Sequence, residues 1–386
     1  MSTSHGRDLL RILRDEGPQT KGSLAQRLET PRTTLSATLL TLTESGALEE
    51  GAAEPSSGGR RAKRVQLHSG LRFAVVSLGE RRLRVAVVGP QLRIIDGVSI
   101  EVHVGDEVSA HAARAAQAAA DLLGPVAPAC LAVAVADIEQ SSATEFAEEV
   151  ANRLGVPRTP ALAAVRAMAV GERHAGRTRG LDDFVAVRLG DGVTMAAMVD
   201  GRVLNGAAGR AGSIGHLRVE EFGPSCRCGS TGCLDAFAGL PALGERATEV
   251  AERGRSPRLA AALAAAGEVT MTDVVDAVRA GDPVVVQLVR DAGRRLGQVL
   301  AMLTAALDPR HLVLGGPGAA LGEHLVAEVR TALHRNAPLR SVDGVSLTLS
   351  EIGERAVLIG AAHAAVDHWI AATAALSETF DVNQHK

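Results

Sequence analysis

The sequence predicts an α/β protein in which an N-terminal winged helix-turn-helix precedes a larger, two-lobed α/β region. Three observations carry this. Three short helical patterns, broken by turn residues, fill residues 6–46. A Gly/Ser/Pro stretch then leads to four cations within five residues, Arg60, Arg61, Lys63 and Arg64. From residue 71 a strand triplet, a helix, a strand and further helices are followed by a second strand triplet, which suggests two similar lobes with ligand between them. At 386 residues the chain has room for two or three domains. The boundary is placed at 68/69, giving a DNA-binding domain over 1–68 and a second domain over 69–386.

The first helix shows Leu9, Leu10, Ile12 and Leu13 at helical spacing and ends at Gly17-Pro18. A second begins near residue 21, with Leu24 and Leu28 on one face. Thr30-Pro31 reads as an N-cap followed by Pro at the first helical position, opening a third helix that stops at Gly46. Residues 47–68 read as a β-hairpin wing with a basic tip, because Val65 and Leu67 alternate with polar neighbours. Beyond it, FAVVSL, LRVAVVG and LRIIDGVSI read as strands, 108–123 as an Ala-rich helix and CLAVAVA as a buried strand. Helices over 142–154 and 162–175 lead to FVAVRLGDG, VTMAAMVDG and RVLNG. Helices dominate the remainder, interrupted by the strands HLVLGG and VSLTLS.

Composition excludes several classes. The net charge of −3 is wrong for a protein that coats nucleic acid with its whole surface. Residues 1–70 nevertheless hold ten Lys+Arg against eight Asp+Glu, so a small basic patch sits on an acidic body, as a localised DNA contact requires. No apolar run is read as a membrane span, and MSTSHGRDLL lacks the apolar core of a signal peptide. The four cysteines form no secreted disulfide pattern. A cytoplasmic protein without a membrane partner is expected. With no Tyr, one Trp and six Phe, a sugar pocket would have few rings to stack on.

The third helix is the expected reader of the major groove, offering Arg32, Thr33, Thr34 and Ser36 to base edges of a double-stranded operator. Arg60, Arg61, Lys63 and Arg64 would meet phosphates or the minor groove. A three-helix packing module with a solvated charge run is the alternative. The run CRCGSTGC supplies Cys226, Cys228 and Cys233, with glycines that permit a tight knuckle, and His216 lies ten residues upstream as a fourth ligand. Four protein ligands and no open position describe a structural zinc, within a knuckle over 216–233. Cys130, in an apolar strand, reads as a buried small hydrophobe.

GRAGSIGHLRV followed by CRCGSTGCLDAFAG resembles the zinc-and-sugar signature of the ROK family (repressors, open reading frames and kinases), and HLVLGGPGA resembles its late glycine-rich segment. The resemblance covers almost the whole chain and points to the family's regulators. It implies an actin-like ATPase/sugar-kinase fold, a homodimer or dimer of dimers, zinc on His216, Cys226, Cys228 and Cys233, and often a carbohydrate effector, for which His216 and Asp235 are the contacts this sequence retains.

The departures from the family's kinases concern chemistry. Ser77-Leu78-Gly79-Glu80-Arg81 stands where kinases carry an Asp and a phosphate-cradling Gly-Gly-Thr turn. Gly190-Asp191-Gly192 replaces the second phosphate turn, Gly-Thr-Gly, so both turns bring a carboxylate towards phosphate. The Asn-Asp pair containing the general base aligns with Ala163 and Ala164, and residues 155–171 contain no Asp, Asn or Glu. Ser213 stands for a sugar-contacting Glu, Asp235 for another, and Ala136-Asp137 for a Pro-Gly. A regulator with a catalytically inactive domain and no catalytic residue is therefore expected. An active sugar kinase with an accessory DNA-binding domain, and a regulator answering to a non-sugar ligand or none, are the alternatives.

Overall fold

The computed structural model describes residues 5–51, 63–103, 106–136, 140–156 and 161–384. Arg60, Arg61 and Asp137 lie outside the described residues. The chain divides into two compact units, Met1–Leu162 with Ala361–Lys386, and Ala163–Gly360.

The first unit opens with α1 (His5–Glu16), β1 (Gln19–Thr20), α2 (Lys21–Arg27), α3 (Arg32–Glu44), β2 (Leu48–Glu50) and β3 (Arg64–Leu67). Thr20 caps α2 by accepting from the Ser23 amide at 3.2 Å. The cap expected at Thr30 is displaced by one residue. Pro31 is the N-cap of α3, and the Thr30 hydroxyl instead donates to the Leu28 carbonyl at 2.9 Å. Its side chain is thus consumed by the preceding turn, where Glu29 takes a left-handed conformation (φ 48°). Leu9, Leu10, Leu13, Leu24, Leu39, Leu42, Leu48 and Leu67 close a small aliphatic core. The strands pair in the order β1-β3-β2, all antiparallel, with Leu48 opposite Leu67 and Gln19 opposite Val65. This is a winged helix-turn-helix.

The same unit continues with β4 (Phe73–Leu78), β5 (Arg82–Val88), β6 (Ile94–Glu101), α4 (Val108–Leu123), β7 (Cys130–Val135), α5 (Gln140–Leu154) and β8 (Ala161–Ala163). Its sheet runs β6-β5-β4-β7-β8, with β4 antiparallel to β5 and parallel to β7. The all-buried β4 and β7 lie inside the sheet, and small alanines of α4 let that helix lie close against the sheet, chiefly over β5.

The second unit contains α6 (Ala164–Ala175), β9 (Phe184–Leu189), β10 (Val193–Val199), β11 (Arg202–Val203), α7 (Asp235–Ala238), α8 (Leu240–Glu252), α9 (Pro257–Ala266), α10 (Met271–Arg279), α11 (Pro283–Leu307), β12 (His311–Gly315), α12 (Glu323–Asn336), α13 (Leu339–Val342) and β13 (Ser346–Leu349). Its sheet order, β11-β10-β9-β12-β13, repeats that of the first unit, with β9 antiparallel to β10 and parallel to β12. The repetition is that of the actin-like fold. At Gly297, in the α11–α12 contact, an added Cβ would stand 2.6 Å from the Val329 carbonyl oxygen, so no larger residue fits there.

The last helix, α14 (Arg355–Gln384), corrects the expectation that no segment is long and apolar enough to span a membrane: Arg355–Ala375 passes on length and composition, with a mean hydropathy of 1.2. Its alanine-rich face accounts for this; Ala361, Ala362, Ala365, Val366 and Ile370 are buried inside the molecule. Within the first unit Trp369 meets Phe73 edge-on at 5.9 Å. Asp367 pairs with Arg14 of α1, whose side chain is only 4% exposed, and with Arg11 at 3.3 Å. The winged helix is thereby ion-paired to the C-terminal helix.

Burial alone would raise the Asp367 carboxyl, but Arg14, His363 and Arg11 together hold it below its ordinary value. A depressed carboxyl contributes stability above its unfolded pKa, about 3.9, and loses it as pH falls through the folded value. Arg14→Leu should lower stability at pH 7 by about 2 kcal/mol, and the gap to the parent should shrink below about pH 4. Denaturant melts of the two proteins at pH 7 and pH 3.5 check this.

Candidate functional site

The knuckle is built by short-range backbone hydrogen bonds. The Cys226 amide donates to the Ser230 carbonyl at 2.8 Å and the Gly229 amide to the Cys226 carbonyl at 2.9 Å. Gly232, at φ +69°, passes so close to the Glu220 carbonyl that a Cβ would lie 1.8 Å from its oxygen. These turns bring together all four predicted ligands. One ligand atom each from His216, Cys226, Cys228 and Cys233 lie within 4.8 Å of one another. Cys226 Sγ is 3.8 Å from His216 Nδ1, and Cys228 Sγ is 3.7 Å from Cys233 Sγ. Tetrahedral metal–sulfur bonds of about 2.3 Å place sulfurs about 3.8 Å apart. The cluster can hold a metal ion.

Electrostatics point the same way. Burial, followed by the neighbouring Cys228 and Cys226 sulfurs, pushes the Cys233 thiol up to about 12. The Ser230 amide, then Cys226, pulls Cys228 below its ordinary value. One cluster cannot hold three thiolates without a compensating cation, and a coordinated divalent ion supplies that charge. Cys130 contrasts with them: burial pushes it up to about 11 within β7, as expected of an inert core thiol.

Asp235, at the start of α7, lies against this cluster and is 7% exposed. Its Oδ1 accepts from the Val193 amide at 2.7 Å. Its Oδ2 faces His216 Nδ1 at 3.6 Å and Arg227 at 3.7 Å. Arg227, inside the knuckle, is a partner the sequence did not single out. His216 is partly exposed, its side chain at 43%, with Nδ1 directed to Cys226 and Asp235. Ser213 is exposed and donates to the Arg210 carbonyl at 3.3 Å.

Each turn aligned with a phosphate loop has its place in its own unit. Glu80 sits in the β4–β5 turn, closed by the Gly79 amide on the Arg82 carbonyl at 2.9 Å. Asp191 sits in the equivalent β9–β10 turn, closed by Gly190 on Gly192 at 3.1 Å and docked to α8 by the Leu240 amide on the Gly190 carbonyl at 2.9 Å. Ala163 is the N-cap of α6, without a side-chain cap, and Ala164 is the helix's first residue, buried. Glu172, further along α6, is fully buried; burial raises its carboxyl, while the Ser350 hydroxyl at 2.5 Å and the Arg177 amide at 3.1 Å hold it.

In the winged helix, Arg32, Thr33, Thr34 and Ser36 are all exposed on α3. The Ser36 hydroxyl donates to the Arg32 carbonyl at 2.7 Å, leaving it an acceptor. Lys63 pairs with exposed Glu50 at 2.5 Å, and Arg64 begins β3.

Known proteins resemble this chain along most of its length. The sequence model of the ROK family matches residues 97–368. A glucokinase from Halalkalibacterium halodurans is 32% identical over 193 residues, covering 50% of this chain and 58% of that one. The DNA-binding transcriptional dual regulator NagC of Escherichia coli is 24% identical over 194 residues, covering 50% and 47%. The chain thus spans about half the length of the curated relatives it matches. Among solved structures, a ROK family transcriptional regulator homologous to the E. coli MLC protein superposes with a TM-score of 0.77 at 21% identity, over 97% of this chain and 98% of that one. A ROK family glucokinase from Streptomyces griseus, in complex with glucose and AMPPNP, gives 0.64 at 23% identity over 76% and 99%. At these identities the two structures speak for the fold. With its family pattern matched over more than half of its length, this chain belongs to the ROK family.

Proposed function

We propose that this protein is a sequence-specific DNA-binding transcriptional regulator, with residues 1–68 as its DNA-binding domain and 69–386 as a ROK domain that no longer transfers phosphate. The observation that carries this reading is α3: its first turns present Arg32, Thr33, Thr34 and Ser36 to solvent beside a three-stranded wing. Arg32 can make paired hydrogen bonds to guanine, and Arg60 and Arg61 can neutralise phosphates. The resemblance to NagC supports the same reading. A homodimer, or a dimer of dimers, would set the spacing of two winged helices on a pseudo-palindromic operator.

A structural zinc on His216, Cys226, Cys228 and Cys233 completes the proposal. Its residues would fix the knuckle, and through His216 and Asp235 the start of α7. The remaining effector contacts are thin. His216 keeps one ring nitrogen for a hydroxylated ligand, while Asp235 has an oxygen committed to Val193. Loss of phosphoryl transfer follows from Ala163 and Ala164 at the start of α6 and from carboxylates in both turns. An active sugar kinase is the second reading, favoured by the 32% identity to a glucokinase.

Three outcomes are expected. The full chain should bind its mapped genomic site with steep salt dependence. Arg32→Ala should cost about 1–3 kcal/mol and relax base preference, whereas Arg60→Ala with Arg61→Ala should weaken all sequences alike. Fluorescence anisotropy across a salt series measures both, and a chain lacking residues 1–68 that still binds the site would refute the reading. Elemental analysis should return one zinc per chain, lost in Cys228→Ser together with hydrogen-exchange protection over residues 213–237. No ADP should be released above background with hexoses, millimolar ATP and magnesium, nor should Ala164→Asp alone restore it. Sugar-dependent turnover in a coupled assay would establish the kinase instead.

A further inference from the structure

A pocket of about 630 Å³ opens in the second unit between α7, α8 and α11, and none of its lining residues is among those discussed for sugar, metal or DNA. Phe237, Arg246, Arg255, Gln287, Asp291 and Arg295 line it beside an aliphatic wall. The ring of Phe237, itself 3% exposed, carries two guanidiniums: the Arg295 Cζ lies 4.0 Å from its centroid and the Arg246 Cζ 5.0 Å. Two like charges on one ring repel. Burial, and after it the Arg295 charge, holds the Arg246 guanidinium below its ordinary value.

The nearby carboxylates Asp291, Glu220 and Glu249 relieve this only in part, and Arg246 stays below its ordinary value. Asp291 accepts from Gln287 and from Arg294, each at 3.0 Å. Glu249 pairs with Arg253 at 3.3 Å, and Glu220 with Arg295. Among the described residues Arg246 makes one side-chain hydrogen bond, to the Ala236 carbonyl at 3.1 Å, and Arg255 makes no ion pair. Arg295 Nε is buried without a partner, and buried donors of this kind are normally satisfied. Three arginines with unused donors therefore converge on one concavity.

We propose that this pocket binds a phosphate-bearing metabolite, gripped by Arg246, Arg255 and Arg295. A phosphate monoester brings three acceptor oxygens and up to two negative charges, enough for three guanidinium forks. A lone carboxylate brings two oxygens and one charge. The aliphatic wall receives the carbon skeleton, and the volume suits a small metabolite. Arginine is the residue for such a grip because its planar fork matches phosphate geometry. Phe237 follows Asp235 by two residues on α7, so a bound anion bears on the helix whose first residue faces the knuckle. The inference is independent of the regulator reading.

The test is calorimetric titration of the full-length protein, in chloride buffer, with inorganic phosphate and with 3-phosphoglycerate; acetate is the control. Saturable one-site binding is expected for a phosphate probe at about 1 mM or tighter, with none for acetate. Arg255→Gln, at an exposed position, should weaken it about tenfold. Arg246→Lys keeps the charge but loses the fork, and should weaken it similarly. Absence of saturation with both phosphate probes overturns the proposal, as does unchanged affinity in both variants. A change in sedimentation of both variants without a change in phosphate binding would assign the arginines to a contact between copies, and would equally overturn it.

Discussion

The second unit depends on one buried carboxylate. Asp235 accepts from the Val193 amide at 2.7 Å, tying the start of α7 to the first residue of β10. The same oxygen occupies the space a side chain at Gly215 would need; a Cβ there would stand 1.9 Å away. Its other oxygen faces His216 and Arg227 of the knuckle. A strand, a turn, the knuckle and a helix thus meet on the two oxygens of one side chain. A shorter acid than Glu suits this: Asp holds its carboxylate near its own backbone, where the Val193 amide waits, and loses less side-chain freedom in doing so. Its two oxygens are occupied as a buried carboxylate requires, one by an amide and the other facing the Arg227 guanidinium.

The same region joins the start of α7 to the turn at Asp191. Gly239 packs against both carbonyls that bound it, with a Cβ standing 2.7 Å from the Asp235 oxygen and 2.8 Å from that of Asp191. The Leu240 amide then closes onto Gly190. In the first unit the corresponding β4–β5 turn is closed by the Gly79 amide on the Arg82 carbonyl at 2.9 Å and held from beyond the end of β6 by the Val102 amide on the Arg81 carbonyl at 3.1 Å. Two turns of common topology therefore carry the same kind of substitution, an acid, in different mechanical settings. The Asp191 turn is fixed by its helix, so the position of its charge is fixed as well.

Local features were legible in the sequence, and long-range ones were not. The cysteine spacing and the glycines of the knuckle specify its turns, so the four-residue cluster follows from sequence alone. Strand and helix patterns were equally clear because each is a matter of period. The cap of α3 lies one residue later than expected because the Thr30 hydroxyl, instead of accepting from an α3 amide, donates to the Leu28 carbonyl in the turn at Glu29. The membrane-length stretch in α14 has no uninterrupted apolar run, because Asp367 and His368 break it, while its mean hydropathy of 1.2 remains that of an apolar helix. The Arg14–Asp367 pair, separated by 353 positions, has no local signature. Nor has the Arg246–Phe237–Arg295 stack, where three unremarkable residues become a charged pocket only by packing.

The contest between regulator and kinase turns on how few residues decide chemistry. An actin-like scaffold of this size needs glycines where helices cross, as at Gly297, apolar residues along buried strands, and cysteines in the knuckle. Those requirements are the same whether or not phosphate is transferred, so a 32% identity to a glucokinase over half of the chain is what a shared scaffold alone would produce. Catalysis needs a base at the right atom and loops that present amides, not carboxylates, to phosphate. Here the start of α6 offers two methyl groups, and both turns offer acids. A helix N-terminus bearing Ala at its N-cap also forgoes about 1 kcal/mol of capping, a cost that a catalytic or capping side chain would have removed. On the proposed regulator reading, the scaffold has been kept while the positions aligned with the kinases' base carry alanine.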